Sequence, residues 1–514
     1  MLVDDGSVRA SVLLLSLAVV AAAPAAAPAG AGGRPEKAAI RVDSARVIHA
    51  MQGGLGASWH ALIHDIALDN EKYDYPVRFK GSRGSAWGGN PPLASRAAWD
   101  DLSRHARWLG LSFLRVELDQ RMYEPERGRF DFENDEMQAL YRILDWAEKE
   151  GADVFLQQMW RHVEWNAFPG VHPLLSAPRS LEDHAAGLAT LVEHLTKTRR
   201  YTCIRWLAIA NEPPGGTWGY WWSAGSWPCP SLASAFASVR AALDAKGISL
   251  PLSGPDWTDQ PPFGGGIPDL DPHLGAYDVH TYKGLDAAGQ GTIDGWVAHA
   301  RELKKPFFVS EFGNMGHGWG GVDPGPRTYP ALLSNAEVVI RGLRSGVDGL
   351  NRWSFTNRGD LDGQWQIVRT WDPKARAYLD RVTPEPVPYF GFGLLTRFFA
   401  RRSSIVDVQV DASPALANDL LAAAVTSPKG RLTAFILNQG PEPADSSIVV
   451  PGASAPLFVY QIVERDLAEG TTLAPKARLA PSASPHALQL PARSLTVLTA
   501  FDLGPDDPGI VRDE

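Results

Sequence analysis

Leu207-Ala208-Ile209-Ala210-Asn211-Glu212-Pro213 is an apolar run that ends in a polar pair and a proline. It has the form of a buried strand that delivers a carboxylate to its C-terminal tip. Pro213 has no backbone N–H to give to a ladder, so the strand is expected to stop there and a loop to begin. A second run, Pro306-Phe307-Phe308-Val309-Ser310-Glu311-Phe312-Gly313, ends in the same way. Two strands that each finish in Glu can set two carboxylates at one rim of a parallel barrel. A single strand-tip Glu is as easily a solvated carboxylate; the pair is what carries the reading.

Around these two runs, strand and helix patterns alternate eight times. Gly53 to His60 reads as the first strand, Phe113–Leu118 as the second and Asp153–Gln157 as the third. The run to Glu212 is the fourth, Pro251–Pro255 a weak fifth and Tyr277–Tyr282 the sixth. The run to Glu311 is the seventh and Val347–Trp353 the eighth. Between them, apolar residues recur at helical spacing, as in Trp99, Leu102, Ala106 and Leu109, with Gly110 closing that helix. The pattern predicts an α/β fold, a (β/α)8 barrel, over residues 38–401. The glycines at 53, 54 and 56 permit close backbone packing and do not form a phosphate loop, since no Gly-Lys-Ser/Thr follows. Residues 61–93 read as a long excursion over the barrel top.

After Arg402 short strands punctuated by Pro, Gly and Ser replace the alternation, which predicts an all-β sandwich over 402–503. Tyr460 is its one Tyr and it has no Trp, so a structural role is expected for it rather than sugar binding. The acidic tail, 504–514, is expected to be loose. At the other end, Arg9, an apolar run from Val12 to Ala23 and an Ala/Pro/Gly-rich stretch read as a secretory signal peptide over 1–31. The run is short for a membrane span, so the mature chain is expected to be exported, secreted or periplasmic, with no membrane partner. Cys203 and Cys229 are expected at opposite ends of the fourth strand and its loop, beyond bridging reach.

The chain has 514 residues, 45% hydrophobic and 21% charged, enough for a barrel and one accessory domain. Its net charge of −9 comes with no basic stripe and speaks against a nucleic-acid partner. Trp is abundant, 18 residues, and many lie in expected loops, where indole faces can stack on sugar rings. Trp59, Trp160, Trp165, Trp218, Trp221, Trp222, Trp257 and Trp319 are candidates for outer subsites, with loop packing the plainer role for any one of them. His60, His162 and Glu164 match no standard metal spacing, so neither metal nor cofactor is expected.

The strand tips then carry a set: Arg115, Asn211 with Glu212, His280 with Tyr282, Glu311 and Trp353. This set resembles clan A of the glycoside hydrolases, whose barrels carry catalytic Glu residues on strands four and seven. Asn-Glu-Pro and Ser-Glu-Phe-Gly are its sharpest motifs. Glu124-Pro125 followed by Gly128-Arg129-Phe130-Asp131-Phe132 is similar to the clan's second loop. The closing helix ending in Arg397-Phe398-Phe399, with a sandwich behind it, is most like families 30, 39 and 51, and the barrel is equally like family 5. The resemblance implies a retaining β-glycosidase acting on a polysaccharide or oligosaccharide.

The chemistry of the set points the same way. Glu212 is expected to be the acid/base and Glu311 the nucleophile, kept ionised by Arg115 and a Tyr282 hydroxyl. Asn211 is expected on the sugar's 2-hydroxyl and Trp353 under the ring beside the cleavage point. Each has a plainer alternative: Arg115 a barrel ion pair, His280 a satisfied core histidine, Trp353 barrel-top packing. A glycan-binding barrel without activity, an inverting hydrolase and a transglycosylase are the rival functions.

Overall fold

The computed structural model describes residues 36–62, 88–161, 163–213, 221–223, 228–258, 267–282, 284–314, 325–357, 365–372, 374–375, 377–482 and 484–514. The leader, residues 63–87 of the excursion, His162, Trp218, Trp319 and the side chain of Trp160 lie outside the described residues.

The first strand, β1 (Glu36–Ala50), is followed by eight parallel ones: β2 (Leu55–Ala57), β3 (Phe113–Asp119), β4 (Asp153–Trp160), β5 (Ile204–Ala208), β6 (Leu252–Trp257), β7 (Ala276–Thr281), β8 (Phe307–Phe312) and β9 (Gly349–Arg352). They neighbour one another in the order β2-β9-β8-β7-β6-β5-β4-β3. The ring closes just past β2, where Trp59 N donates to Arg115 O at 2.8 Å and Ala61 N to Glu117 O at 2.9 Å. Gly56 permits that closure: a Cβ there would fall 1.7 Å from Phe113 O.

The helices are α1 (Arg96–Leu109), α2 (Gln120–Tyr123), α3 (Asp135–Glu150), α4 (Leu181–Glu193), α5 (Leu232–Ala245), α6 (Ala287–Glu302), α7 (Tyr329–Ser345) and α8 (Pro386–Thr396). Small polar side chains start several of them. Asn134, Ser180, Ser231, Asp286 and Thr328 each accept a backbone N–H of the first turn. A hairpin, β10 (Val368–Asp372) with β11 (Ala377–Pro384), precedes α8 and was not foreseen in the sequence.

The period of two along the strands sorts their side chains. Phe113, Phe155, Trp206, Ala208, Ala276 and Phe308 form an apolar plug separate from the layer that packs on the helices. Trp206 and Phe308 meet at 4.7 Å between ring centroids. Two residues further along these strands stand Arg115, Gln157, Asp278 and Ser310, and beyond them Glu117 and His280. The barrel interior therefore changes from oil to charge along its axis.

The remaining strands are β12 (Ser404–Ala412), β13 (Leu420–Thr426), β14 (Leu432–Asn438), β15 (Ala444–Val449), β16 (Leu457–Ile462), β17 (Ala477–Leu479), β18 (His486–Leu490) and β19 (Ser494–Thr499). They make a mostly antiparallel sheet in the order β17-β16-β19-β14-β13-β12-β1-β15-β18. Leu420, Ala422 and Ala424 of β13 face one apolar cluster made by this sheet alone. Leu421, Ala423 and Val425 face the main core shared with the barrel helices. Both faces of β13 and β14 are thus covered, which is why every residue in them is buried.

Residues 38–50 were placed with the barrel, but β1 runs antiparallel to β12 and parallel to β15, inside the second sheet. An alternating pattern marks a strand without naming its partner. The tail over 504–514 is not loose. Ile510 N donates to Arg397 O at 2.7 Å, Arg401 N to Val511 O at 2.9 Å and Ser427 Oγ to Asp513 Oδ2 at 2.5 Å. Glu514 is paired with Arg401 and Asp513 with Ser427, while Arg397 donates to the tail's backbone carbonyls at Gly504 and Asp507.

No helix of the described residues is long and apolar enough to cross a membrane. Cys203 and Cys229 are both free, Cys203 buried and Cys229 exposed.

Candidate active site

Asn211 and Glu212 lie just past the end of β5, and Glu212 holds a left-handed backbone, φ 47°. Glu311 reaches the interior through an irregularity in β8. Val279 and His280 are consecutive on β7, yet they pair with Val309 and Glu311, so Ser310 is an extra residue. Without it, alternation would turn Ser310 inward and Glu311 out toward the helices. With it, Ser310 Oγ reaches Asp278 Oδ2 at 2.8 Å, and Glu311 still meets the interior groups. The same device recurs one strand away. Pro255 and Trp257 pair with Asp278 and Val279, and the extra residue, Asp256, has φ 59°.

Arg115 is the hub. Its Nη1 donates to Glu311 Oε2 and, at 2.8 Å, to Glu117 Oε1. Its Nη2 donates to Asn211 Oδ1 at 2.8 Å and lies 3.7 Å from Asp256 Oδ2. The Tyr282 hydroxyl donates to Glu311 Oε1. His280 bridges the other side, with Nδ1 2.8 Å from Glu212 Oε1 and Nε2 3.0 Å from Asp256 Oδ1. Asp256 Oδ2 also accepts the Glu212 backbone N–H at 3.2 Å. One oxygen each of Glu212 and Glu311 and one nitrogen of His280 all lie within 4.8 Å of one another.

Burial and charge pull against each other throughout. Burial raises the Glu311 carboxyl, His280 and Arg115 pull it down, the neighbouring Glu212 adds to the rise, and the net direction is upward. Burial would lower His280, but Asp256 and Glu311 hold it well above the usual imidazole range, as a cation. Burial would raise Asp256, but His280 and Arg115 hold it below the usual carboxylate range. Asp278 takes the opposite direction: burial, then the charge of Asp256, push it well up, so this pair shares one proton. Glu117, fully buried, is lifted by burial to about 8 against the pull of Arg115.

The structure brings together Arg115, Asn211, Glu212, His280, Tyr282 and Glu311. Trp353 lies at the rim of β9, 2% exposed, with the His60 ring edge-on at 4.7 Å. Trp59 is not at a subsite. It is 1% exposed, its Nε1 donates to Asn90 Oδ1 at 2.9 Å, and Phe355 and Trp146 pack on its ring at 4.8 and 5.9 Å. Its role is packing, as is that of Trp221, buried under the Arg161 guanidinium. Trp160, a candidate for substrate contact, has its side chain outside the described set.

Sequence reasoning missed Glu117, Asp256, Asp278 and Gln157. Glu117 is two residues after Arg115 and shares its face by strand alternation, so it was within reach. Asp256 was not, because a bulge leaves no mark in residue spacing. Two triples, Glu212 with His280 and Glu311, and Asp256 with Asp278 and His280, have metal-like donor spacing. Neither suits a cation, since both contain His280 as a cation and the first lies against the Arg115 guanidinium.

A family model described as cellulase, glycosyl hydrolase family 5, matches residues 70–330. The chain belongs to that family, and with it to the clan A glycoside hydrolases; it is a glycosidase. No curated protein matches it. Among solved structures it is similar to a family 30 subfamily 8 xylanase from Clostridium acetobutylicum, at 15% identity and TM-score 0.58 over 90% of this chain and 99% of that one. It is also similar to a conserved exported protein from Bacteroides fragilis, at 14% identity and TM-score 0.60 over 90% of this chain and 100% of that one. A family 51 arabinofuranosidase from Xanthomonas axonopodis pv. citri gives 12% identity and TM-score 0.53 over 91% of this chain and 100% of that one. At these identities the likeness is one of fold, barrel and second sheet together.

Proposed function

We propose that the chain is a secreted retaining β-glycosidase that hydrolyses a β-linked polysaccharide or oligosaccharide by double displacement. The observation that carries this reading is the approach of Glu212 and Glu311 to within 4.8 Å, oxygen to oxygen. Retention needs carboxyl groups about 5–5.5 Å apart, whereas inversion leaves about 6.5–9.5 Å for a water. Glu311, fixed by Arg115 and Tyr282 on its two oxygens, attacks the anomeric carbon. Glu212, oriented by His280 on one oxygen, gives its proton to the leaving oxygen and then takes one from water. Arg115 occupies Asn211 Oδ1, which leaves the Asn211 Nδ2 hydrogens for the sugar's 2-hydroxyl. Trp353 is the platform beside the cleavage point. The leader with its short apolar run supports export, and the xylanase and arabinofuranosidase folds support a neutral glycan.

Proton NMR of the first product, with a fluoro-sugar bearing a good leaving group, tests this. The β anomer should form first, and peptide mapping should find the label on Glu311. Glu212→Ala should lower turnover of substrates with poor leaving groups by about 10²–10⁴-fold and spare glycosylation by dinitrophenyl glycosides. An inverted first anomer would exclude retention; a label on Glu212 would exchange the two roles.

A further inference from the structure

Glu117 is a carboxyl of this centre that none of the steps above uses. It follows Arg115 by two residues on β3, and its side chain is fully buried beside the guanidinium that holds Glu311. Arg115 Nη1 forks between Glu117 Oε1 at 2.8 Å and Glu311 Oε2. The other oxygen of Glu117 lies 3.3 Å from His60 Nδ1, on the segment after β2, and that ring in turn packs edge-on against Trp353, just past β9. Glu117 thus joins the arginine that holds the proposed nucleophile to the aromatic platform.

We propose that Glu117 is a positioning residue, a carboxyl that must carry its proton for Arg115 to stay on Glu311, and that its ionisation sets the upper edge of the enzyme's working pH. The inference rests on the reading of Glu311 as the group Arg115 serves.

The charges around it support this. Among the described residues, with the proposed acid Glu212 carrying its proton, two cations, Arg115 and His280, stand against two anions, Asp256 and Glu311. His60 adds no charge on its side, since burial and then the nearby Arg115 hold it well below the usual imidazole range. Asp278 keeps its proton. An ionised Glu117 is therefore a third anion without a third cation. It competes for the shared Nη1 and repels Glu311, whose charge is among the causes that lift Glu117 to about 8. Below that pH the neutral carboxyl accepts from Arg115 without competing for its charge.

The test is the pH dependence of glycosylation. A panel of dinitrophenyl β-glycosides (xyloside, glucoside, galactoside, mannoside) supplies the probe, the one turned over being used. Its leaving group needs no acid. The measurement is made in the wild type and in Glu212→Ala, where the acid is absent. Both should show the rate falling about tenfold per pH unit above a break near 8. Glu117→Gln should lose the break and hold its rate within about twofold a further unit up. Glu117→Met, apolar and of similar length, carries the same expectation should the amide disturb folding. A merely structural Glu117 would lower the rate at every pH and leave the break in place. Such a result, or a wild-type profile flat past the break, would overturn the proposal. The anomer measurement fails separately: an inverted product would remove the retaining reading and leave the Glu117-dependent break standing.

Discussion

At the scale of single residues, the site is an argument about one guanidinium. Arg115 is fully buried with Glu117, Glu311 and Asp256 around it. Removing one partner of a buried ion pair leaves the rest uncompensated, which costs about 3–5 kcal/mol. Arg115→Ala should therefore lose both activity and stability, read by denaturant titration alongside kcat/KM. Arg115→Lys should fold better and still fall well short of wild-type rate, since one ammonium cannot serve Glu311 and Asn211 as a planar fork does. Wild-type kinetics in a folded Arg115→Ala would remove this residue from the site. Glu117 makes a second prediction, about stability. Its carboxyl titrates at about 8 when folded and near the ordinary glutamate value of 4.5 when unfolded. Between those values the folded state binds the extra proton, so stability falls as pH rises through that window. Equal stability at both ends of the window in the wild type, with no difference from Glu117→Gln, would contradict it.

At the scale of elements, β2 shows how little clearance the closure leaves. Gly56→Ala would drive a methyl into Phe113 O and force β2 and β3 apart. The expected result is loss of soluble folded protein or a fall of several degrees in Tm, with activity lost in proportion; a Tm equal to wild type would refute it. The elements also show what was legible in the sequence. An apolar run followed by Asn-Glu-Pro reads as a strand tip because proline ends a ladder and period two is visible in the residues themselves. The alternation of eight such runs with helical spacing was enough for the barrel. The bulges at Ser310 and Asp256 were not legible, since one extra residue leaves the local composition unchanged. Yet they decide that Glu311 and Asp256 look inward. Trp59 was misread for a related reason: a Trp at a strand's C-terminal end reads alike whether sugar or Phe355 covers its face.

At the scale of the whole molecule, the tail and the second sheet hold the barrel from behind. Trp108 of α1 stacks on Tyr389 of α8 at 4.5 Å, its Nε1 donates to Pro505 O at 2.7 Å, and the Arg397 guanidinium lies 4.2 Å over its ring. Arg397 also donates to Gly504 O and Asp507 O, at 3.0 and 2.9 Å. A chain ending at Leu503 would strip these partners from buried groups, a loss of about 1–3 kcal/mol for each polar group left unsatisfied. Its Tm should drop while kcat per folded molecule stays near wild type, because none of these contacts reaches Glu212 or Glu311. An unchanged melting curve would return the tail to the loose segment its acidity suggested.

The placement of β1 has a consequence in time. Of the described strands, Glu36–Ala50 is made before the others, and it takes its seat between β12 and β15, which are made only after the entire barrel. Synthesis runs at about 5–20 residues per second, so for many seconds this strand has no partner to accept its backbone N–H groups. The second sheet cannot assemble from its own end of the chain alone, and the barrel cannot be cut free at Arg402 without orphaning its first strand. β1 closes onto β12 and β15 like a clasp, and the making of those two strands ends its wait.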